Sequence, residues 1–134
     1  MRIVRVLGTV VLWLLQILMA VAFVVIGVAK FADPSWARSF ARWGYPDGFY
    51  MVIGALEAAG GLALLVPRLT SYVAALLGVI MIGASLTHWL HGEMARVTPP
   101  LMYLAVLVVV GVGRWRSAIR LRATPGTPAP LESL

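Results

Sequence analysis

The chain has 134 residues, of which 61% are hydrophobic and 12% charged, with a mean hydropathy of +0.93. A soluble globule, at about a quarter charged residues, is excluded, and so is disorder, which needs a polar and charged chain. The net charge is +6, but the basic residues sit at the ends of apolar runs, where they face lipid head groups and not nucleic acid.

The first apolar run covers residues 6–29, 24 positions without a charge. Arg2 and Arg5 followed by Ala20-Val21-Ala22 mimic a signal peptide, yet the apolar stretch continues through Ala29. That is too long for a cleavable segment and predicts a retained membrane helix. Next comes a loop with a helical pattern over residues 34–43. Asp33 caps it and Pro34 suits its first position. Trp36, Phe40 and Trp43 recur at helical spacing, Arg38 and Arg42 fall on the opposite side, and Gly44 and Pro46 end it. This predicts a short amphipathic helix in the head-group region, with the aromatic residues as membrane-interface anchors or as a lid over a cavity.

The second run, residues 49–66, carries one charge, Glu57. The third, residues 71–90, carries His88, and the fourth covers residues 97–115 and ends among basic residues. The predicted architecture is all-α: an integral-membrane four-helix bundle over residues 1–118, with the interfacial helix between its first two spans. Residues 119–134 are expected to form a flexible cytoplasmic tail, rich in Pro and small residues. Seven Arg flank the spans on the side of the termini and four Lys/Arg on the other, so both termini are expected in the cytoplasm.

Glu57 is the most informative position. An ionised group at the bilayer centre costs about 3 kcal/mol, so it must face protein and be paired, hydrogen-bonded or protonated. Gly54, Ala58 and Gly61 share its helical face and let a neighbouring helix approach. Gln16 is midway along the first span, which predicts the depth of Glu57 and a hydrogen bond between them if the helices face each other. Lys30 ends the first span and can reach inward. His88, Ser85 and Tyr103 approach from the same end. Glu57, Lys30, His88 and Gln16 are therefore the candidates for ligand binding or proton relay, against the alternative that Glu57 and Gln16 are packing glue. His91 and Glu93 are expected to be exposed loop residues. Cysteine is absent, which removes disulfides, thiol catalysis and thiolate metal sites. His88 and His91 lack a clear third ligand, so no metal site is predicted.

In order and spacing these pieces resemble the DoxX and DoxX-like family of small four-helix bacterial membrane proteins. The resemblance is carried by Gly27-Val28-Ala29-Lys30-Phe31, by Gly44-Tyr45-Pro46 and by Ile53-Gly54-Ala55-Leu56-Glu57-Ala58-Ala59-Gly60-Gly61-Leu62. Pro67-Arg68, Ala74-Ala75-Leu76-Leu77 and His88 add to it. It implies a multi-pass protein of the bacterial inner membrane. It also implies an accessory or anchoring subunit of a redox or quinone-linked complex, not an enzyme by itself, with Lys30 and Glu57 at the recurring charged positions. The expected partners are the lipid bilayer and other membrane subunits or further copies of the chain. No intrinsic cofactor is indicated, and a quinone or a lipid is the expected ligand. The alternatives are a purely structural subunit and a small proton-coupled transporter with Glu57 as carrier.

Overall fold

The computed structural model describes residues 1–123. Five α-helices follow one another: α1 (Arg2–Ala32), α2 (Ser35–Arg42), α3 (Phe49–Ala63), α4 (Thr70–Leu90) and α5 (Thr98–Ala123). A single 3-10 turn, Met94–Arg96, precedes α5, and there is no strand among the described residues. Three of the helical segments, those of α1, α4 and α5, are long and apolar enough to cross a bilayer. The fourth apolar helix, α3, has 15 residues, which is about 22 Å of helix.

The early end of α3 has a local cause. Continuing the helix would require the N–H of residue 67 to bond the Ala63 carbonyl, and Pro67 has no N–H. The chain instead tightens into i→i+3 turns, with the Leu65 N–H donating to Leu62 O and the Val66 N–H to Ala63 O, both at 3.1 Å. At the other end of the molecule, the Asp33 carboxylate accepts the Ser35 N–H at 2.8 Å at the start of α2. That backbone bond, first among its causes, holds the Asp33 carboxyl below the usual carboxylate range. Gly44 and Gly48, with φ of 83° and 80°, make the turn from α2 into α3.

The helices α1 and α3 run antiparallel in close contact. A Cβ placed on Gly27 would lie 2.5 Å from both Ala58 N and Gly54 O, and one on Gly61 would lie 2.8 Å from Ala20 O. Two backbones can approach this closely only where side chains are missing, which is how helices gain packing contacts in an apolar solvent. Gly54, Ala58 and Gly61 thus form the predicted contact face. Helices α4 and α5 form the second antiparallel pair, tied where Ser71 Oγ donates to Gly111 O at 3.1 Å. Between the pairs lies a core of Phe23, Leu64, Leu77 and Leu107, all fully buried, with the Phe23 and Tyr103 rings 5.8 Å apart. The outward faces, such as Leu14, Val21, Val25 and Val28 of α1, are exposed and apolar. A surface of this kind belongs against acyl chains, and the chain is a multi-pass membrane protein.

Several boundaries differ from the sequence expectation: α1 and α5 extend beyond the expected spans of residues 6–29 and 97–115. The second span was expected to run to residue 66, and its helix stops at Ala63. The tail was expected from residue 119, and α5 remains helical to Ala123; the rest of that tail lies outside the described residues.

Candidate functional site: a buried ion pair beneath an aromatic lid

The sequence places Lys30 in the last turn of α1 and Glu57 in the middle of α3. The close crossing at Gly27 and Gly54 brings these two turns side by side. Lys30 Nζ donates to Glu57 Oε2 at 2.6 Å, and the two side chains are 4% and 2% exposed. The ammonium also lies 4.2 Å from the centre of the Trp36 ring, so α2 supplies a cation–π contact from above. Glu57 is therefore turned away from lipid and held by a charge partner.

The pair lines a cavity of about 840 Å³ at the end of the bundle that carries α2. Ile26, Ile53, Ile80 and Met81 contribute apolar wall, and Pro99 and Pro100 contribute the α5 side. Helix α2 closes it. Phe40 is buried and packs near the rings of Trp43, Tyr45, Phe49 and Tyr50. Trp36 and Trp43 are half-buried, while Arg38 and Arg42 are exposed at the rim of the cavity. The aromatic stripe of α2 thus faces the protein over the cavity.

A polar cluster fastens that lid. Arg42 of α2 donates to Glu93 Oε1 at 3.0 Å, and Glu93 Oε2 is 2.7 Å from His88 Nδ1. Arg96 adds a longer ion pair of 3.8 Å. The His88 hydrogen bond, ahead of the nearby positive charges, holds the Glu93 carboxyl below the usual range. Trp43 stands edge-on to His88 with centroids 5.1 Å apart, and the Tyr45 hydroxyl is hydrogen-bonded to Thr87. Trp43 lines the cavity, and its indole Nε1 is buried and has no hydrogen-bond partner.

Of the four candidates, Lys30 and Glu57 are in contact, and His88 lines the same cavity through the Glu93 cluster. Gln16 does not join them, and its expected bond to Glu57 is not made. It is fully buried nearer the other end, where Nε2 donates to Leu64 O and Thr70 Oγ1, and Oε1 accepts from Arg114 Nε at 2.7 Å. The reason is axial register: the short α3 packs against the second half of α1, so span midpoints do not coincide. Glu93 also departs from expectation, being one-fifth exposed and joined to three basic side chains. Its signal was faint: a lone acid five residues after His88, with Arg42 far away in sequence. His91 is exposed, and its Nδ1 is 2.8 Å from Thr87 O.

The DoxX-like family matches residues 14–110, most of the chain. The chain belongs to the DoxX-like family. The match in this DoxX-like protein takes in Gln16, Lys30, Trp43, Glu57, His88 and Glu93, and stops short of Arg114. No curated protein and no solved structure matches it.

Proposed function

We propose that this DoxX-like protein is a membrane subunit of a redox or quinone-linked assembly, and that its cavity receives the polar head of a quinone-like lipophile. The observation that carries this reading is the Lys30–Glu57 pair on the wall of an apolar, aromatic-roofed cavity of about 840 Å³. Ligand sites commonly enclose about 300–1,000 Å³, with apolar walls and a few placed polar groups. The Lys30 ammonium and the unpartnered Trp43 N–H are donors suited to carbonyl oxygens of a ring whose faces pack on aromatic side chains. A neutral pair is also a way to keep a donor deep in the bilayer without a net charge. The basic residues at the end opposite the lid support an orientation with both termini in the cytoplasm and the lid on the other face.

The test uses the purified protein in lipid nanodiscs, titrated with decylubiquinone and followed by quenching of tryptophan fluorescence. Saturable quenching is expected in the wild type. Trp43→Phe keeps an aromatic ring, smaller than the indole, and loses the N–H, and weakens binding about three- to tenfold, the worth of one hydrogen bond. The double variant Lys30→Met/Glu57→Gln removes the charged site and weakens it further. Absence of saturable binding in the wild type refutes the reading. Unchanged quinone binding in the double variant, with loss of co-purifying subunits, assigns Glu57 to assembly instead. Loss of pH-driven uptake in vesicles without loss of quinone binding assigns it to transport.

A further inference from the structure

Among the described residues, charge is unbalanced at the end of the bundle opposite the cavity. Arg2, Arg5, Arg68, Arg114, Arg116 and Arg122 lie there, while the described acidic residues, Asp33, Asp47, Glu57 and Glu93, belong to the lid end. Most of these arginines are exposed, as expected of residues among head groups. Arg114 differs. It is half-buried, and its guanidinium is fixed on two sides: Nε donates to Gln16 Oε1 at 2.7 Å, and the ring of Trp13 lies 4.4 Å from the guanidinium carbon.

Gln16 is itself buried and hydrogen-bonded at both ends of its amide. Its amide nitrogen is committed to Leu64 O and to Thr70 Oγ1, and Thr70 Oγ1 also donates to Leu64 O at 2.9 Å. The last turn of α3, the first turn of α4 and the middle of α1 thus combine to orient one guanidinium on α5. Yet Nη2 of Arg114 is buried without a hydrogen-bond partner, and no carboxylate pairs with this side chain among the described residues. A half-buried cation, held in one orientation by neutral groups and left with an unused donor, has no counter-ion among the described residues. The planar fork of arginine matches the two oxygens of a phosphate group.

We propose that Arg114, positioned by Gln16 and Trp13, is the core of a binding site for the phosphate of an anionic phospholipid. The lipid phosphate reaches the guanidinium from the head-group layer, its acyl chains lie along the exposed apolar faces of α1 and α5, and the surrounding arginines raise its local concentration. This site is separate from the cavity and does not depend on the quinone reading.

The experiment is native mass spectrometry of the full chain in detergent, with phosphatidylglycerol and phosphatidylcholine of matched acyl chains. The wild type is expected to retain phosphatidylglycerol preferentially. Arg114→Gln lowers that affinity at least about tenfold, the worth of a charge-assisted hydrogen bond. Arg122→Gln removes an exposed charge and lowers it no more than about fivefold. Arg114→Lys keeps the charge but not the fork, and serves if the glutamine variant does not fold; a loss of at least about threefold is expected. Equal losses for Arg114→Gln and Arg122→Gln, or an Arg114→Lys variant indistinguishable from wild type, overturn the site in favour of a diffuse field. No preference for phosphatidylglycerol in the wild type overturns it outright. Displacement of phosphatidylglycerol by millimolar inorganic phosphate assigns the site to a soluble anion and overturns the lipid source.

Discussion

Replacing Glu57 by Gln keeps the shape of the side chain and removes its charge, leaving the Lys30 ammonium alone in a setting where it is 4% exposed. At 2.6 Å, the pair attraction is about 6 kcal/mol at an effective dielectric of about 20. Most of that offsets the desolvation of two ions, so the pair itself adds little net stability. Breaking it is different, because one buried charge remains uncompensated, at a cost of about 3–5 kcal/mol. The ring of Trp36, 4.2 Å from Nζ, retains part of the stabilisation of Lys30. Glu57→Gln is therefore expected at the lower end, about 3 kcal/mol. Lys30→Met strands a carboxylate instead. The double variant Lys30→Met/Glu57→Gln leaves no charge behind and is expected within about 1–2 kcal/mol of wild type. Equilibrium unfolding in mixed micelles of increasing SDS fraction, followed by far-UV circular dichroism, measures all four species. A Glu57→Gln loss below about 1 kcal/mol, or a double variant as unstable as the two single losses combined, refutes the reasoning about burial and pairing.

Gly27→Ala would place a methyl 2.5 Å from backbone atoms of both Ala58 and Gly54, and the same unfolding assay is expected to show a loss of about 1–3 kcal/mol. Gly8→Ala meets nothing within 4 Å and is expected to be neutral or slightly stabilising, by less than about 1 kcal/mol. The lid cluster should depend on pH through Glu93, whose folded carboxyl titrates below its ordinary value of about 4.3 because of His88 and its basic neighbours. A lowered value means that the stabilisation is present above the ordinary value and lost as pH falls through the folded one. Tryptophan fluorescence of the lid should accordingly show an acid transition below about 4.3, and Glu93→Gln should abolish that transition.

Hydropathy and helical periodicity are local properties, and they made much of the architecture legible. A chain with long uncharged runs has to be helical in lipid, because every backbone N–H and C=O must be satisfied within its own segment. The glycine and alanine positions around Glu57 announced a helix contact, and the spacing of Trp36, Phe40 and Trp43 announced the short amphipathic helix. Partner choice was not legible in the same way. Gln16 meets Thr70 and Arg114, and Glu57 meets Lys30, because α1, with 31 residues, overhangs α3, with 15. Helix ends set by Pro67 and by the glycine crossing fix that offset, and each residue of slip turns a side chain by about 100°. Glu93 becomes the fastening of the lid only when the loop before α5 folds back over Arg42. Such contacts join positions far apart in sequence, so they depend on the axial offset and rotation of whole helices, which packing alone settles.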